Sequence, residues 1–238
     1  MSLIADLGIG DRELVSFVGA GGKTTLLLDL GRELKDLGRS VVLGTTTRMG
    51  TDQIPSWADV GQPDNIGPAA TFVVESTEGP KVIGSQPEVF DKIFESTNHV
   101  LVEADGARRR QIKAPTPHEP VIPSRTTTVV LVAGTDALGR PISDVAHRPE
   151  RVAEVLGMSQ DDLMTPEAMT RLVTNVEGGL ARVPQGARVV VALTGKGTDS
   201  AGVNQVVLEI STNHRIDRVA TKTSSREDDA SSFEEVWK

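Results

Sequence analysis

The sequence contains no cysteine and no tyrosine, and aromatic residues make up only 3% of its 238 positions. Without cysteine there is no disulfide, no thiolate zinc site, no iron–sulfur cluster, no Cys nucleophile, and no persulfide or selenide carried on the chain itself. The shortage of aromatics removes the stacking platforms that hold single-stranded nucleic acid. Positive charge is also scarce: 25 Lys and Arg against 33 Asp and Glu leave a formal charge of −8. That balance argues against a polyanionic partner, whether nucleic acid or membrane surface. Apolar runs such as Thr128–Ala133 and Arg188–Leu193 fall far short of the roughly 20 residues a membrane span needs. Met1–Gly10 has no basic residue, unlike the start of a secretion signal, so the expected location is the cytoplasm.

What is present is enough apolar residue, 38%, to bury a core of Val, Leu, Ile and Ala. The pattern alternates between short β-branched runs and longer helical stretches. Leu14–Val18 reads as a strand, Lys23–Leu37 as a helix with Leu26, Leu27, Leu30, Leu34 and Leu37 on one face, and Ser40–Leu43 as a second strand. Together they form a βαβ unit with parallel strands. Phe72–Glu75 and Lys81–Ile83 read as a hairpin-like pair through Glu78-Gly79-Pro80, and residues 50–70, broken by Pro and Gly, as a loop or flap. Pro87–Thr97 reads as a helix, His99–Glu103, Thr127–Ala133 and Arg188–Leu193 as buried strands, Asn204–Ile210 as a helix and Ile216–Ala220 as a last strand. Thr165-Pro166 is a helix start, with Thr as N-cap and Pro at the first position. The expected architecture is a three-layer α/β fold with a mainly parallel central sheet flanked by helices. Residues 1–220 form a single domain in this reading, and 221–238 a polar, acidic tail that Phe233 and Trp237 are placed to dock.

The strongest chemical signal is Gly19-Ala20-Gly21-Gly22-Lys23-Thr24-Thr25, between a strand and a helix. A glycine turn there lets backbone N–H groups face a phosphate at the helix N-terminus. Lys23 is then in reach of the β- and γ-phosphates, and the Thr24 hydroxyl in reach of Mg²⁺. The usual first glycine of such a loop, five positions before Gly22, is Phe17 here.

Two further clusters belong to the same sheet edge, because ligands gather beyond the carboxyl ends of parallel strands. Thr45-Thr46-Thr47-Arg48 supplies hydroxyls for metal or γ-phosphate, Thr46 among them, and a cation for the transferring group. The strand Val100–Glu103 ends in Glu103 and Asp105, carboxylates suited to hold Mg²⁺ or to orient an attacking water. Arg108, Arg109 and Arg110 follow at once, with Lys113, then His118-Glu119 in a Pro-rich loop. Arg108 and Arg109 are candidates for neutralising phosphate, Lys113 for an anion, and His118 and Glu119 for metal, acid–base or substrate contacts.

Phe17–Thr25, Gly44–Arg48 and above all Val102–Arg108, Lys113–Pro115 and His118–Pro123 resemble the YqeC family, accessory proteins of selenium-dependent molybdenum hydroxylases. Val132–Pro141, His147–Glu150, Thr165–Glu167, Gly178–Leu180 and Pro184–Val191 follow in the same order and spacing, so the resemblance covers roughly residues 12–200. It implies a phosphate-loop NTPase-like fold, Mg²⁺ with ATP or GTP, and a role in maturing a molybdenum hydroxylase or its cofactor. Family members often carry an Asn-Lys-x-Asp-like stretch after the 188–193 strand to read guanine. Here Thr194–Asp199 widens the Lys–Asp spacing by one residue, leaving Thr194, Lys196 and Asp199 to flank a base of either kind. Gly19–Thr25 also resembles the short phosphate loop of Mur-type ligases, which implies phosphoryl transfer to a small molecule. A third possibility is a nucleotide-gated switch with little catalysis, in which Thr45–Arg48 and residues 50–70 respond to the γ-phosphate.

Overall fold

A computed structural model describes residues 2–197 and 200–223, and residues 233–236 for their backbone. In chain order the strands are β1 (Glu13–Gly19), β2 (Val41–Thr45), β3 (Met49–Gly50), β4 (Asp59–Gly61), β5 (Ala70–Val73), β6 (Ser76–Glu78), β7 (Lys81–Ile83), β8 (His99–Glu103), β9 (Ile112–Lys113), β10 (Thr128–Gly134), β11 (Ala146–His147), β12 (Arg188–Gly195), β13 (Arg218–Thr223) and β14 (Phe233–Val236). The helices are α1 (Leu3–Asp6), α2 (Lys23–Asp36), α3 (Pro87–Ser96), α4 (Ile142–Val145), α5 (Pro149–Leu156), α6 (Pro166–Thr174) and α7 (Ala201–Ser211).

Nine strands form the main sheet in the order β14-β13-β12-β10-β1-β8-β2-β5-β4. All neighbours pair in parallel except β14, which runs antiparallel on β13. The central strands are apolar on both faces, as a sheet covered on both sides requires. Val15, Phe17, Leu101, Val130, Val132, Val190 and Ala192 pack with Leu26, Leu27, Leu30 and Leu34 of α2 on one side. The alternate residues Val129, Leu131, Val189, Val191 and Leu193 pack under α5, α6 and α7 on the other, and Val100 and Val102 pack under Phe90, Ile93 and Phe94 of α3. The result is the expected three-layer, mainly parallel α/β fold.

Several local expectations are corrected. Leu37, assigned to the buried face of α2, is the helix C-cap and is 62% exposed, because the chain leaves the helix there through Gly38 at φ +73°. Ala70–Val73 is a fully buried strand beside β2, so the hairpin arm opposite Lys81–Ile83 is Ser76–Glu78 instead. Residues 50–70 are not simply a loop: Asp59–Gly61 adds the outermost strand to the sheet. It has one apolar residue, and Val60 is exposed, as befits an edge strand. The strand expected at Ile216–Ala220 runs from Arg218 to Thr223, and β14 pairs beside it. Residues 224–232, 237 and 238, Trp237 among them, lie outside the described residues.

Candidate functional site

The main-sheet connections change direction at β1: β8, β2 and β5 lie on one side, β10, β12 and β13 on the other. The crevice at the carboxyl end of such a strand is where parallel α/β folds bind ligands. The glycine loop occupies it. Gly19 has φ +93°, and a Cβ there would lie 2.2 Å from the Val132 carbonyl oxygen. Gly21 has φ +90°, and a Cβ would lie 2.5 Å from the Gly134 nitrogen. Only glycine permits both the backbone angle and this approach. The Ala20 amide is used up on Val132 O at 2.9 Å, whereas the amides of Gly21, Gly22, Lys23 and Thr24 have no acceptor among the described residues. These free donors converge on the N-terminus of α2, an anion cradle by geometry and dipole. Phe17 explains the missing glycine: it is fully buried within β1, paired with Val130 and Glu103, so the loop begins only at Gly19.

Beneath the loop runs an unbroken chain of charge. Thr24 donates its hydroxyl hydrogen to Glu103 Oε2 at 2.7 Å. Lys23 Nζ lies 3.8 Å from Glu103 Oε1 and 3.0 Å from Asp105 Oδ1, and donates to the Gly19 carbonyl at 2.6 Å. Asp105 Oδ2 accepts from the Gly19 amide at 3.0 Å and faces Lys113 Nζ at 3.1 Å. Lys113 also reaches Glu119 Oε2 at 3.2 Å and donates to the Gly106 carbonyl at 2.8 Å, and Glu119 takes Arg148 at 2.6 Å. The side chains of Lys23, Lys113 and Asp105 are 3%, 1% and 2% exposed, so the chain's middle is sealed from water.

Burial dominates Glu103 and pushes its carboxyl pKa up, against the opposing pull of Lys23 and the Thr24 hydrogen bond. Burial also acts to raise Glu119, but the Arg148 hydrogen bond and the Lys113 charge outweigh it and bring its pKa down to about 2. A depressed carboxylate contributes stability that is complete above its ordinary value of 4.5 and is lost as pH falls toward about 2. Allowing for the partial exposure of Glu119, the contribution is about 2 kcal/mol. Chemical denaturation from pH 6 to 2 is therefore expected to show wild type more stable than Glu119→Gln above pH 5, with the gap closing on acidification.

Above this chain opens a cleft of about 840 Å³. Its lining includes eight cations, Lys23, Arg48, Lys81, Arg108, Arg109, Arg110, Arg148 and Lys222, against four carboxylates, Asp52, Glu103, Glu119 and Asp136. In a chain of net charge −8, this local excess makes the cleft an electrostatic trap for anions. Gly21, Gly22, Lys23, Thr24, Thr25, Arg48, Glu103, Arg108, Arg109 and Glu119 are all brought to it. Asp105 and Lys113 lie below its floor, against a small apolar cavity of about 20 Å³. Thr46 is tied to the Val121 carbonyl at 2.9 Å, while His118 and Lys196 are exposed outside the cleft lining. Lys196 donates its amide to Asp136 at 3.0 Å. Asp199 lies outside the described residues.

Sequence reading did not assign Arg148, His147, Asp136 or Lys222 to the site. Arg148 and His147 arrive through β11, which pairs with β9 and so brings the 146–148 segment beside Lys113. Burial, with the charges of Arg148 and Lys113, lowers the pKa of His147. The one sequence sign of this segment was His147-Arg-Pro-Glu150, whose role only the pairing reveals.

An open, mainly parallel sheet with helices on both faces, and a glycine loop leading from its central strand into a helix, defines a phosphate-loop NTPase-like α/β protein. Within that class, the chain belongs to the YqeC family, whose model, described as "YqeC protein", matches residues 15–150. A relative from Escherichia coli (strain K12), described as an uncharacterized protein YqeC, is 34% identical over 204 residues, 79% of this chain and 78% of its own length. Among solved structures, chloroplast FtsY from Physcomitrella patens is similar at 15% identity and a TM-score of 0.46, over 92% of this chain and 62% of that one. The signal recognition particle receptor FtsY from Elizabethkingia anophelis is similar at 16% identity and 0.44, over 88% and 58%. Among the described residues no helix is long and apolar enough to cross a membrane.

Proposed function

We propose that the chain binds a Mg²⁺–nucleoside triphosphate, ATP or GTP, at Gly21–Thr25 and cleaves its γ-phosphate, as a cytoplasmic accessory factor in maturing a molybdenum hydroxylase. The observation that carries the nucleotide reading is the set of four amides at the start of α2, beside Lys23 and Thr24, that have no acceptor among the described residues. Thr24 Oγ1 and Glu103 Oε2, 2.7 Å apart, are the hard oxygen donors that Mg²⁺ prefers. No cluster of three or more His, Asp or Glu side chains suited to a metal occurs among the described residues. A metal carried in on phosphates needs no such cage, since phosphates and waters fill most of its sites.

When bound, Mg²⁺ supplies charge neutralisation across the β- and γ-phosphates. The chain's own residues do the rest. The amides of Gly21–Thr24 seat the β-phosphate. Lys23 leaves the Gly19 carbonyl and Asp105 to reach the phosphates, and Lys113 stays behind to balance Asp105. Thr24 Oγ1 and Glu103 would hold the metal, with the Thr24 hydroxyl hydrogen turned away from the carboxylate. The molybdenum hydroxylase role rests on what the family resemblance implies. It is supported if deleting the gene lowers activity of the molybdenum hydroxylase and a Lys23 variant fails to restore it.

The nucleotide reading is tested by thermal unfolding with ATP, GTP, ADP and GDP, each with and without Mg²⁺. Ligand at 100 times its Kd stabilises by about 2.7 kcal/mol. A Mg²⁺-dependent rise in Tm with one triphosphate is expected, and phosphate release should accompany it. No shift with any nucleotide would overturn the reading.

A further inference from the structure

Four non-glycine residues adopt left-handed backbone among the described residues, and all are arginines. Three of them, Arg108 (φ 47°), Arg109 (φ 59°) and Arg148 (φ 58°), line the cleft, on two segments that the β9–β11 pairing sets side by side. Side chains other than Gly, Asn and Asp rarely take this conformation, and glycine would take it without steric cost. Such strain is retained where a side chain is needed in a fixed place. The two segments are clamped to the phosphate loop. The Gln111 carbonyl accepts from the Gly134 amide at 2.8 Å and would lie 2.9 Å from a Cβ on Gly21. On its other side the Gln111 amide donates to the Val145 carbonyl at 3.0 Å, and Arg110 donates to the Asp144 carbonyl at 2.5 Å.

The guanidiniums themselves remain available. Arg109 is 87% exposed, and among the described residues its one ion pair is a long 3.8 Å contact with an exposed Asp52. Arg108 is exposed and forms no ion pair among the described residues. Arg148 is anchored from below by Glu119, with its side chain one-third exposed to the cleft. The cleft volume of about 840 Å³ lies at the upper end of the roughly 300–1,000 Å³ of single-ligand pockets.

We infer that Arg108, Arg109 and Arg148 form the subsite for a second substrate, a small molecule bearing a phosphate group, held against the nucleotide's phosphates. The inference rests on the nucleotide reading for its neighbour but not for its own anion. Rigid guanidinium forks bind phosphate oxygens two at a time, which accounts for arginine at all three positions. The subsite makes the chain a two-ligand protein, with the nucleotide at the glycine loop and the second phosphate group at the arginines.

The test uses the full chain carrying Lys23→Met, which removes the loop's cation and leaves its amides as a constant background, with inorganic phosphate, pyrophosphate and succinate as probes followed by Tm and calorimetry. Phosphate and pyrophosphate are expected to stabilise this protein. Adding Arg108→Gly and Arg109→Gly should weaken that binding at least tenfold while leaving the anion-free Tm no lower, because glycine relieves the backbone strain. An anion affinity unchanged by the double replacement, or no anion response before it, would overturn the subsite. A larger response to succinate would overturn the phosphate assignment. Failure of the nucleotide reading shows separately, as the absence of any Mg²⁺–triphosphate shift in wild type.

Discussion

Replacing Lys113 by methionine is expected to destabilise the protein by about 3 kcal/mol, the lower end of the roughly 3–5 kcal/mol lost when one partner of a buried pair is removed. Lys113 is 1% exposed and neutralises two carboxylates at once, Asp105 at 3.1 Å and Glu119 at 3.2 Å. Methionine matches its stem in volume, so the loss is electrostatic rather than a cavity. The figure sits at the low end because Asp105 keeps Lys23 at 3.0 Å and Glu119 keeps Arg148 at 2.6 Å. Urea denaturation of Lys113→Met, Asp105→Asn and the double variant checks this. The pair should couple by about 1–2 kcal/mol, with the double variant more stable than the two single losses added together. A loss below about 1 kcal/mol for Lys113→Met would mean that the charge chain is not a stabilising unit.

Replacing Lys23 by methionine is expected to weaken Mg²⁺–triphosphate binding roughly 100-fold, about 2.7 kcal/mol, the value of one or two charge-assisted hydrogen bonds to phosphate. The fold should survive, because Lys113 still faces Asp105 and burial already raises the Glu103 pKa, so that Glu103 can take up a proton when its cation is gone. Calorimetric titration of wild type and variant measures the ratio. The loss should be much smaller for the diphosphate, whose contacts are mainly to the amides of residues 21–24. Equal weakening of both would place the ammonium on the β-phosphate alone.

Much of this site was legible in the sequence because its parts are local. The glycine loop, Lys23 and Thr24 lie within seven consecutive residues between a strand and a helix, and Glu103 ends an apolar strand. The fold was legible for the same reason: buried strands of a parallel sheet read as continuous Val/Leu runs. What escaped depends on contacts distant in sequence. Asp105, expected at a metal, is instead 2% exposed, holding the Gly19 amide and two lysines at once. Nothing in its neighbours along the chain marks it for burial. Lys113 read as an anion ligand because it follows three arginines, yet β9 carries it beneath the floor while the arginine turn stays on the wall. Arg148 lies 29 residues from Glu119, and only the β9–β11 pairing brings them together. The edge strand at Asp59–Gly61 has a single apolar residue and so gives no period to detect.

The most direct test is a crystal structure of the protein with Mg²⁺ and a non-hydrolysable triphosphate, ATP or GTP analogue according to the Tm panel. The β-phosphate is expected on the amides of Gly21–Thr24, with Lys23 turned away from the Gly19 carbonyl and onto the phosphates. Mg²⁺ should lie on Thr24 Oγ1 with Glu103 beside it. A triphosphate bound elsewhere in the cleft, or Lys23 still held by Gly19 and Asp105 beside an empty loop, would contradict the account.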